Sequence, residues 1–228
     1  VARGLARACD QAKISMVLSS GKAVGVDGAV LLGGANRDWK GAVPAVTVGD
    51  CSDENDEIPA VCADVRAGAR ALAAHLADTG HRRLAVITWP GGTQRLAGVR
   101  EGWAQAGPVH AYEVPSSSRV NGESAGRAAL KAEPRPDAVI ALCDELALGV
   151  LDAAGFLGLS VPRDLSVAGI DDLPGMDVAG LTSVFVPYRP LGDLAGAMLA
   201  AAIDGTPPTA PPPLPTSLTL RATCAARA

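Results

Sequence analysis

The pattern of apolar positions changes period along this chain, and each change marks an element. The opening "VARGLARACDQAK" places Leu5, Ala8, Cys9 and Ala12 on one face at helical spacing. Four short apolar runs follow: "ISMVLSS" (14–20), "GAVLLGG" (28–34), "PAVTVGD" (44–50) and "AVCADV" (60–65). Each is bounded by Gly, Pro, Asp or Ser, as expected of strands buried on both faces in a parallel sheet. From Arg66 the period turns helical, with a stripe of Ala69, Leu72, Ala73 and Leu76 and a stop at Gly80. A strand follows at "RLAVITW" (83–89). The alternation then repeats. Helices over about 94–106, 122–132 and 144–157 separate the strands "VHAYEV" (109–114), "DAVIALC" (137–143) and "SVAGIDD" (166–172).

The end of the chain behaves differently. A strand at "LTSVFVP" (181–187) runs at once into a helix carrying Leu191, Leu194, Ala195, Met198, Leu199 and Ile203, which stops at Gly205. The next segment, "TPPTAPPPLP", is too rich in proline for a helix or a central strand, and "SLTLRAT" closes with an alternating pattern. Strands alternating with helices of about a dozen residues predict right-handed crossovers and open parallel sheets. About ten strand candidates are too many for the simplest small α/β sheet, so two similar lobes are the more economical packing. A ligand would then sit outside the carboxyl ends of the strands, between lobes, and "SVAGIDD" ends on two carboxylates at such a place.

Composition narrows the function. The 228 residues are 48% hydrophobic and 19% charged, which excludes disorder of the chain as a whole. Twenty-four acidic against 20 basic side chains give a formal charge of -4, without a Lys/Arg block, so these residues are not expected to hold nucleic acid by themselves. No apolar run approaches the ~20 residues of a membrane span and no secretion signal opens the chain, which reads as soluble and cytoplasmic. The five cysteines form no C-x-x-C pair, and their odd number suits a reducing compartment. They are expected to serve as small buried hydrophobes.

Candidate chemistry is sparse. "GESAG" (122–126) has the form of a G-x-S-x-G nucleophile elbow, but polar "PSSSRVN" precedes it where a strand belongs. Of the histidines His75, His81 and His110, none follows Ser124. The plain expectation is a helix turn of small residues, and no enzyme activity. His75 and His81 lack ligand partners at zinc spacing, and the chain has neither a Walker A sequence nor G-x-G-x-x-G, so neither metal nor nucleotide cofactor is expected. Asp171 and Asp172, as neighbouring strand residues, point to opposite faces and do not readily share one cation. Capping the following turn is the ordinary role for Asp172. Arg95 places a cation in the first turn of a helix, against the dipole, which hints at recognition or marks a solvated side chain. Tyr188, past a strand end and before Pro190, either stacks on a ligand or plugs a hinge.

Several segments together resemble one family. "PDAVIALCDELALGVLDAAGFLGLSVPRDLSVAGIDDLPG" is similar to the central signature of the LacI/GalR family of bacterial transcription regulators. "GHRRLAVI", "RLAGVREGWAQAG" and "LTSVFVPYRPLGDLAGAMLAAAIDG" fall in that family's order and spacing, so the resemblance covers nearly the whole chain from about Val26. It implies a periplasmic-binding-protein-like effector domain, with two α/β lobes joined by three crossover segments. The first lobe would comprise 1–89 and 188–212, the second 90–187 and 213–228. It further implies a cleft that binds a sugar or other small polar metabolite. Arg95 matches the effector-binding arginine, Asp171 the aspartate that accepts from sugar hydroxyls, and Tyr188 the aromatic packed on the ligand. Trp89, which ends a strand at the lobe boundary, joins them as a pocket candidate. Cys143 stands where the family commonly has asparagine, which replaces an amide contact with a weak thiol donor. The family has an extra helix between "SSG" and "VGVDG" and a first strand that would precede Val1. Its helix-turn-helix head and hinge helix are expected upstream. The segment "DELALGVLDAAGFLG" resembles part of the family's homodimer surface, and a dimer through both lobes would set two heads on two operator half-sites. The expected function is therefore effector sensing for a transcription regulator. The alternative is a periplasmic sugar-binding protein of an uptake system, which shares the fold.

Overall fold

The structure, a computed structural model, describes residues 1–12, 25–32, 43–51 and 58–227. The strand expected at 14–20 and the region around 21–24 lie outside the described residues. What is described forms two compact units: residues 1–64 with 187–215, and residues 65–186 with 216–228.

In the first unit β1 (Ala29–Leu32), β2 (Ala45–Asp50) and β3 (Ala60–Ala63) form a parallel sheet in the order β1-β2-β3. Val46, Thr47, Val48, Val61 and Ala63 are its buried positions. Two helices, α1 (Ala2–Ala12) and α6 (Tyr188–Ile203), pack together through Leu5 and Ala8 on one and Leu191, Gly192, Ala195 and Gly196 on the other. A Cβ at Gly192 or Gly196 would fall inside 3.0 Å of the Val1 carbonyl oxygen or the Ala8 side chain, so these glycines set the closeness of the pair. The proline-rich segment runs beside β3, where Leu214 exchanges hydrogen bonds with Cys62 and Asp64 (2.8 and 2.9 Å).

Cys51 and Cys62 form a disulfide, which corrects the expectation that all the cysteines are buried thiols. The parallel register that sets Gly49 beside Cys62 carries Cys51, two residues on, to a Cα–Cα distance of 5.0 Å. Cys143 is a buried thiol, whereas Cys9 and Cys224, also outside the disulfide, are half-buried.

The second unit is a six-stranded sheet in the order β5-β4-β6-β7-β8-β9. Its strands are β4 (Leu84–Thr88), β5 (Val109–Glu113), β6 (Ala138–Ala141), β7 (Ser166–Asp171), β8 (Thr182–Phe185) and β9 (Ser217–Thr219), of which only β9 runs antiparallel. Every residue of β4, β6 and β7 is buried, while edge strand β5 is partly exposed, as burial on both faces of a parallel sheet requires. The helix α3 (Thr93–Trp103) carries the chain outward from β4 to β5; α4 (Arg119–Leu130) brings it back across β4 to β6, and α5 (Asp144–Phe156) continues to β7. Right-handed crossovers in opposite directions place α3 on one face of the sheet and α4 with α5 on the other. The helix α2 (Val65–Asp78) packs on α3.

This assigns residues 65–89 to the second unit, whereas the expected boundary fell at Trp89. The elements were placed correctly, but their partners were not. β4 is the central strand between β5 and β6, and Ala69 and Ala73 of the α2 stripe meet α3 at Gly98 and Gly102. The chain thus crosses between units near 64, 186 and 215, and the proline segment leads into the last crossing. The "GESAG" glycines have a packing role as well. Gly122 lies against the backbone of Leu146 and Gly126 against Ala153, where α4 crosses α5. That helix begins at Arg119, capped by Ser118, whose hydroxyl accepts from the Asn121 amide (3.4 Å).

Candidate functional site

The chain order of the second sheet reverses between β4 and β6, since β5 lies on one side of β4 and all later strands on the other. Parallel strands leave a crevice at such a switch point, outside their carboxyl ends. The residues there are Thr88 at the end of β4 and Trp89 after it, Leu142 and Cys143 after β6, and Asp171 and Asp172 at the end of β7.

Arg95 reaches across that crevice. It occupies the third position of α3 and is only 5% exposed, so the solvated alternative does not hold. One guanidinium nitrogen donates to the Leu142 carbonyl (2.8 Å) and to Asp171 Oδ1 (2.7 Å), tying the ends of β4, β6 and β7 together. The guanidinium also lies over the Trp89 ring, 5.5 Å from its centroid. A cation at this helix end is unfavourable to the dipole, and the Asp171 carboxylate offsets it. Trp89 is held in turn by the tight turn after β4: a Cβ at Gly91 would meet the indole Nε1 at 2.6 Å.

The two aspartates are divided between two arginines. Asp171 pairs with Arg95, whereas Asp172 accepts from Arg221 (2.7 and 3.2 Å). Asp172 is thus a salt-bridge partner rather than a turn cap. Both have positive φ, 128° for Asp171 and 51° for Asp172, a conformation that costs a non-glycine residue on the order of 1–3 kcal/mol. Strain of this kind persists where surrounding contacts hold it, and those contacts converge on Asp144.

Asp144, the first residue of α5, is fully buried. Its carboxylate accepts from the Ser183 hydroxyl (2.6 Å) and the Leu173 amide (2.7 Å). Burial raises its pKa to about 6, against the opposing effect of those two hydrogen bonds. The Cys143 thiol, one residue earlier, lies near the Ser117 carbonyl (4.0 Å) and is pushed up to about 11, chiefly by burial. It is a protonated, unreactive group at neutral pH.

The structure thus brings Trp89, Arg95, Asp171 and Cys143 to one end of one sheet. Tyr188 opens α6 in the other unit and is half-buried there. Asp144, Ser183 and Arg221 were not singled out from the sequence. The signal for Asp144 was a carboxylate opening a helix directly after an apolar strand; for Ser183 and Arg221 there was none, because their partners lie 39 and 49 residues away. His81, read as a turn residue, is buried far from this site at the start of β4. Its Nδ1 donates to the Leu76 carbonyl and its Nε2 accepts from Ser166, both at 2.9 Å.

Comparison with known proteins identifies the family and the fold. The family described as "periplasmic binding protein-like domain" matches residues 73–224. The ribose operon repressor of Halalkalibacterium halodurans is 32% identical over 178 residues, which span 74% of this chain and 53% of the repressor. The chain spans about half the length of the first curated relatives it matches. Among solved structures, a CelR transcriptional regulator in complex with cellobiose superimposes with a TM-score of 0.84 at 28% identity, covering 96% of this chain and 76% of that one. A LacI family regulator from Enterococcus faecium with bound ribose shares the fold, with a TM-score of 0.88 at 21% identity over 100% of this chain and 93% of its own. Among the described residues, no helix is long and apolar enough to cross a membrane.

Proposed function

Because the chain belongs to the periplasmic-binding-protein-like domain family, as found in LacI-type regulators, we propose that it is the effector-sensing part of a transcription regulator, with a sugar as effector. The observation that carries this is the buried Arg95–Asp171 pair at the switch-point crevice, with the Trp89 ring beside it. A sugar hydroxyl both donates and accepts, so a guanidinium fork next to a carboxylate satisfies adjacent hydroxyls that would otherwise be buried unpaired. An indole face suits the apolar side of the ring. In this reading Arg95 and Asp171 bind the sugar and Trp89 packs on it. Cys143 lines the pocket as a small neutral group. The chain binds rather than catalyses.

The names of the relatives support a sensor: they are repressors and regulators, and an uptake protein is not favoured. The remaining parts of the proposal concern the whole protein. It would work in the cytoplasm as a homodimer and reach operator DNA through a helix-turn-helix head outside this chain. Sugar binding would favour one arrangement of the units and so change operator affinity by reciprocal coupling. Thermal-shift titration with D-ribose, D-glucose, D-xylose and cellobiose tests the site. At least one sugar is expected to raise the melting temperature of the parent chain, while Arg95→Ala and Asp171→Ala, still folded, lose that response. An unchanged response in both variants rejects the assignment. Operator affinity of the full-length dimer, measured with and without that sugar, tests the regulatory half.

A further inference from the structure

We infer that Asp144 is a positioning residue that holds the Asp171–Leu173 turn in its binding geometry, an inference that rests on the sugar-sensing reading above. The carboxylate clamps two consecutive amides of the turn. Leu173 N–H donates directly to one oxygen (2.7 Å). Asp172 N–H donates to Ser183 Oγ (3.1 Å), and that hydroxyl donates onward to the other oxygen (2.6 Å). Asp171 immediately precedes these two amides, and its φ of 128° turns its carboxylate toward Arg95. Fixing the amides on its C-terminal side keeps that residue in a backbone region it would otherwise leave.

A second observation shows that the sheet is built around this carboxylate. Gly169, in the middle of the fully buried strand β7, faces Asp144: a Cβ there would fall inside 3.0 Å of Asp144 Oδ1. The strand interior disfavours glycine, and the space it leaves is filled by the carboxylate. Asp144 is also the member of the local carboxylate group that accepts from neutral donors in these contacts. Asp171 has Arg95 and Asp172 has Arg221, while Asp144 faces the negative charges of both aspartates. A buried carboxylate retained on such terms costs fold stability, so its return lies in the turn it holds.

The groups facing it are Asp171 and Asp172 at the end of β7, Arg221 after β9, and the Cys143 thiol on its own element. Protonation gives one oxygen a hydrogen and spoils one of the two acceptances. The turn therefore slackens as pH falls through about 6. Its effect on fold stability has the opposite sign. A carboxyl whose folded pKa lies above its unfolded value binds a proton more tightly when folded, so this group favours the fold more as pH drops toward 4.

The test compares the parent chain, Asp144→Asn and Ser183→Ala by amide hydrogen exchange and by D-ribose titration at pH 7.5 and 5.5, with the other sugars of the panel as further probes. Asp144→Asn is expected to speed exchange at Asp172 and Leu173 by about tenfold or more, as for loss of a hydrogen bond to a charged group, with β5 amides unchanged. Ser183→Ala speeds Asp172 and spares Leu173. Sugar affinity falls about tenfold in Asp144→Asn while its melting temperature holds or rises. The parent chain, but not Asp144→Asn, loses affinity between pH 7.5 and 5.5. Unchanged exchange at both amides overturns the inference, and so does affinity lost only in proportion to stability. If the parent chain binds none of the sugars, the sensor reading falls, and exchange at the two amides still decides whether Asp144 holds the turn.

Discussion

Alanine in place of Gly98 and of Gly155 makes the same chemical change at two helical positions, and stability is expected to move in opposite directions. In a helix interior the exchange is worth up to about 1 kcal/mol of propensity in favour of alanine. At Gly155, next to the last residue of α5, nothing lies within 4 Å of the added Cβ, so Gly155→Ala should stabilise by about 0.5–1 kcal/mol. At Gly98 the Cβ would fall inside 3.0 Å of the Arg66 carbonyl oxygen and 3.0 Å from the Ala69 Cβ. The obstacle is backbone, so no side chain can swing aside. The Arg66–Glu101 ion pair and the similar crowding of Gly102 against Arg70 sit on the same seam. Overpacking of this kind costs about 1–3 kcal/mol, which exceeds the propensity gain. The melting temperature of the second unit should fall by roughly 3–8 °C in Gly98→Ala and rise by a few degrees in Gly155→Ala. Circular dichroism melts with matched urea titrations measure both. Because α3 also carries Arg95 three residues before Gly98, Gly98→Ala should weaken the proposed sugar binding as well, whereas Gly155→Ala should not. A rise in melting temperature for Gly98→Ala would show that the helices are not in the close contact described.

Three further expectations come from other parts of the molecule. Removing one member of the buried pair, as in Asp171→Leu, should cost about 3–5 kcal/mol by taking the neutralising carboxylate from the buried Arg95 charge, and the double change with Arg95→Met should cost less than the single one; a double variant as unstable as the summed singles would deny the coupling. Burial lowers the pKa of His81, so neutral His81 contributes stability that is complete above about pH 6.5 and is lost as pH falls below it, by up to about 1.4 kcal/mol per pH unit. Urea midpoints between pH 7.5 and 5 should show His81→Gln losing less than the parent chain, and parallel profiles would refute this. Alkylation of the denatured protein followed by mass spectrometry should label three cysteines before reduction and all five after it. Reduction, or Cys51→Ser, should lower the stability of the first unit by about 2–3 kcal/mol for a bridge spanning 11 positions; five labelled cysteines without reductant would exclude the bridge.

The period of apolar positions alone located the helices and strands of the second unit to within a few residues, because burial dictates side-chain type at each position. The family resemblance pointed to Arg95 and Asp171 and the strand end to Trp89, and the structure sets all three at the ends of elements the pattern already marks. The tertiary structure decided everything that depends on partners. Register brought Cys51 to Cys62, and strand order moved 65–89 into the second unit. The "GESAG" glycines became a helix crossing once α4 met α5. The clamp on the Asp171 turn joins Asp144, Leu173 and Ser183 across 29 and 39 residues of chain. Local pattern records how deeply a residue is buried and in what period. Which donor meets a buried carboxylate is fixed only when distant strands come side by side.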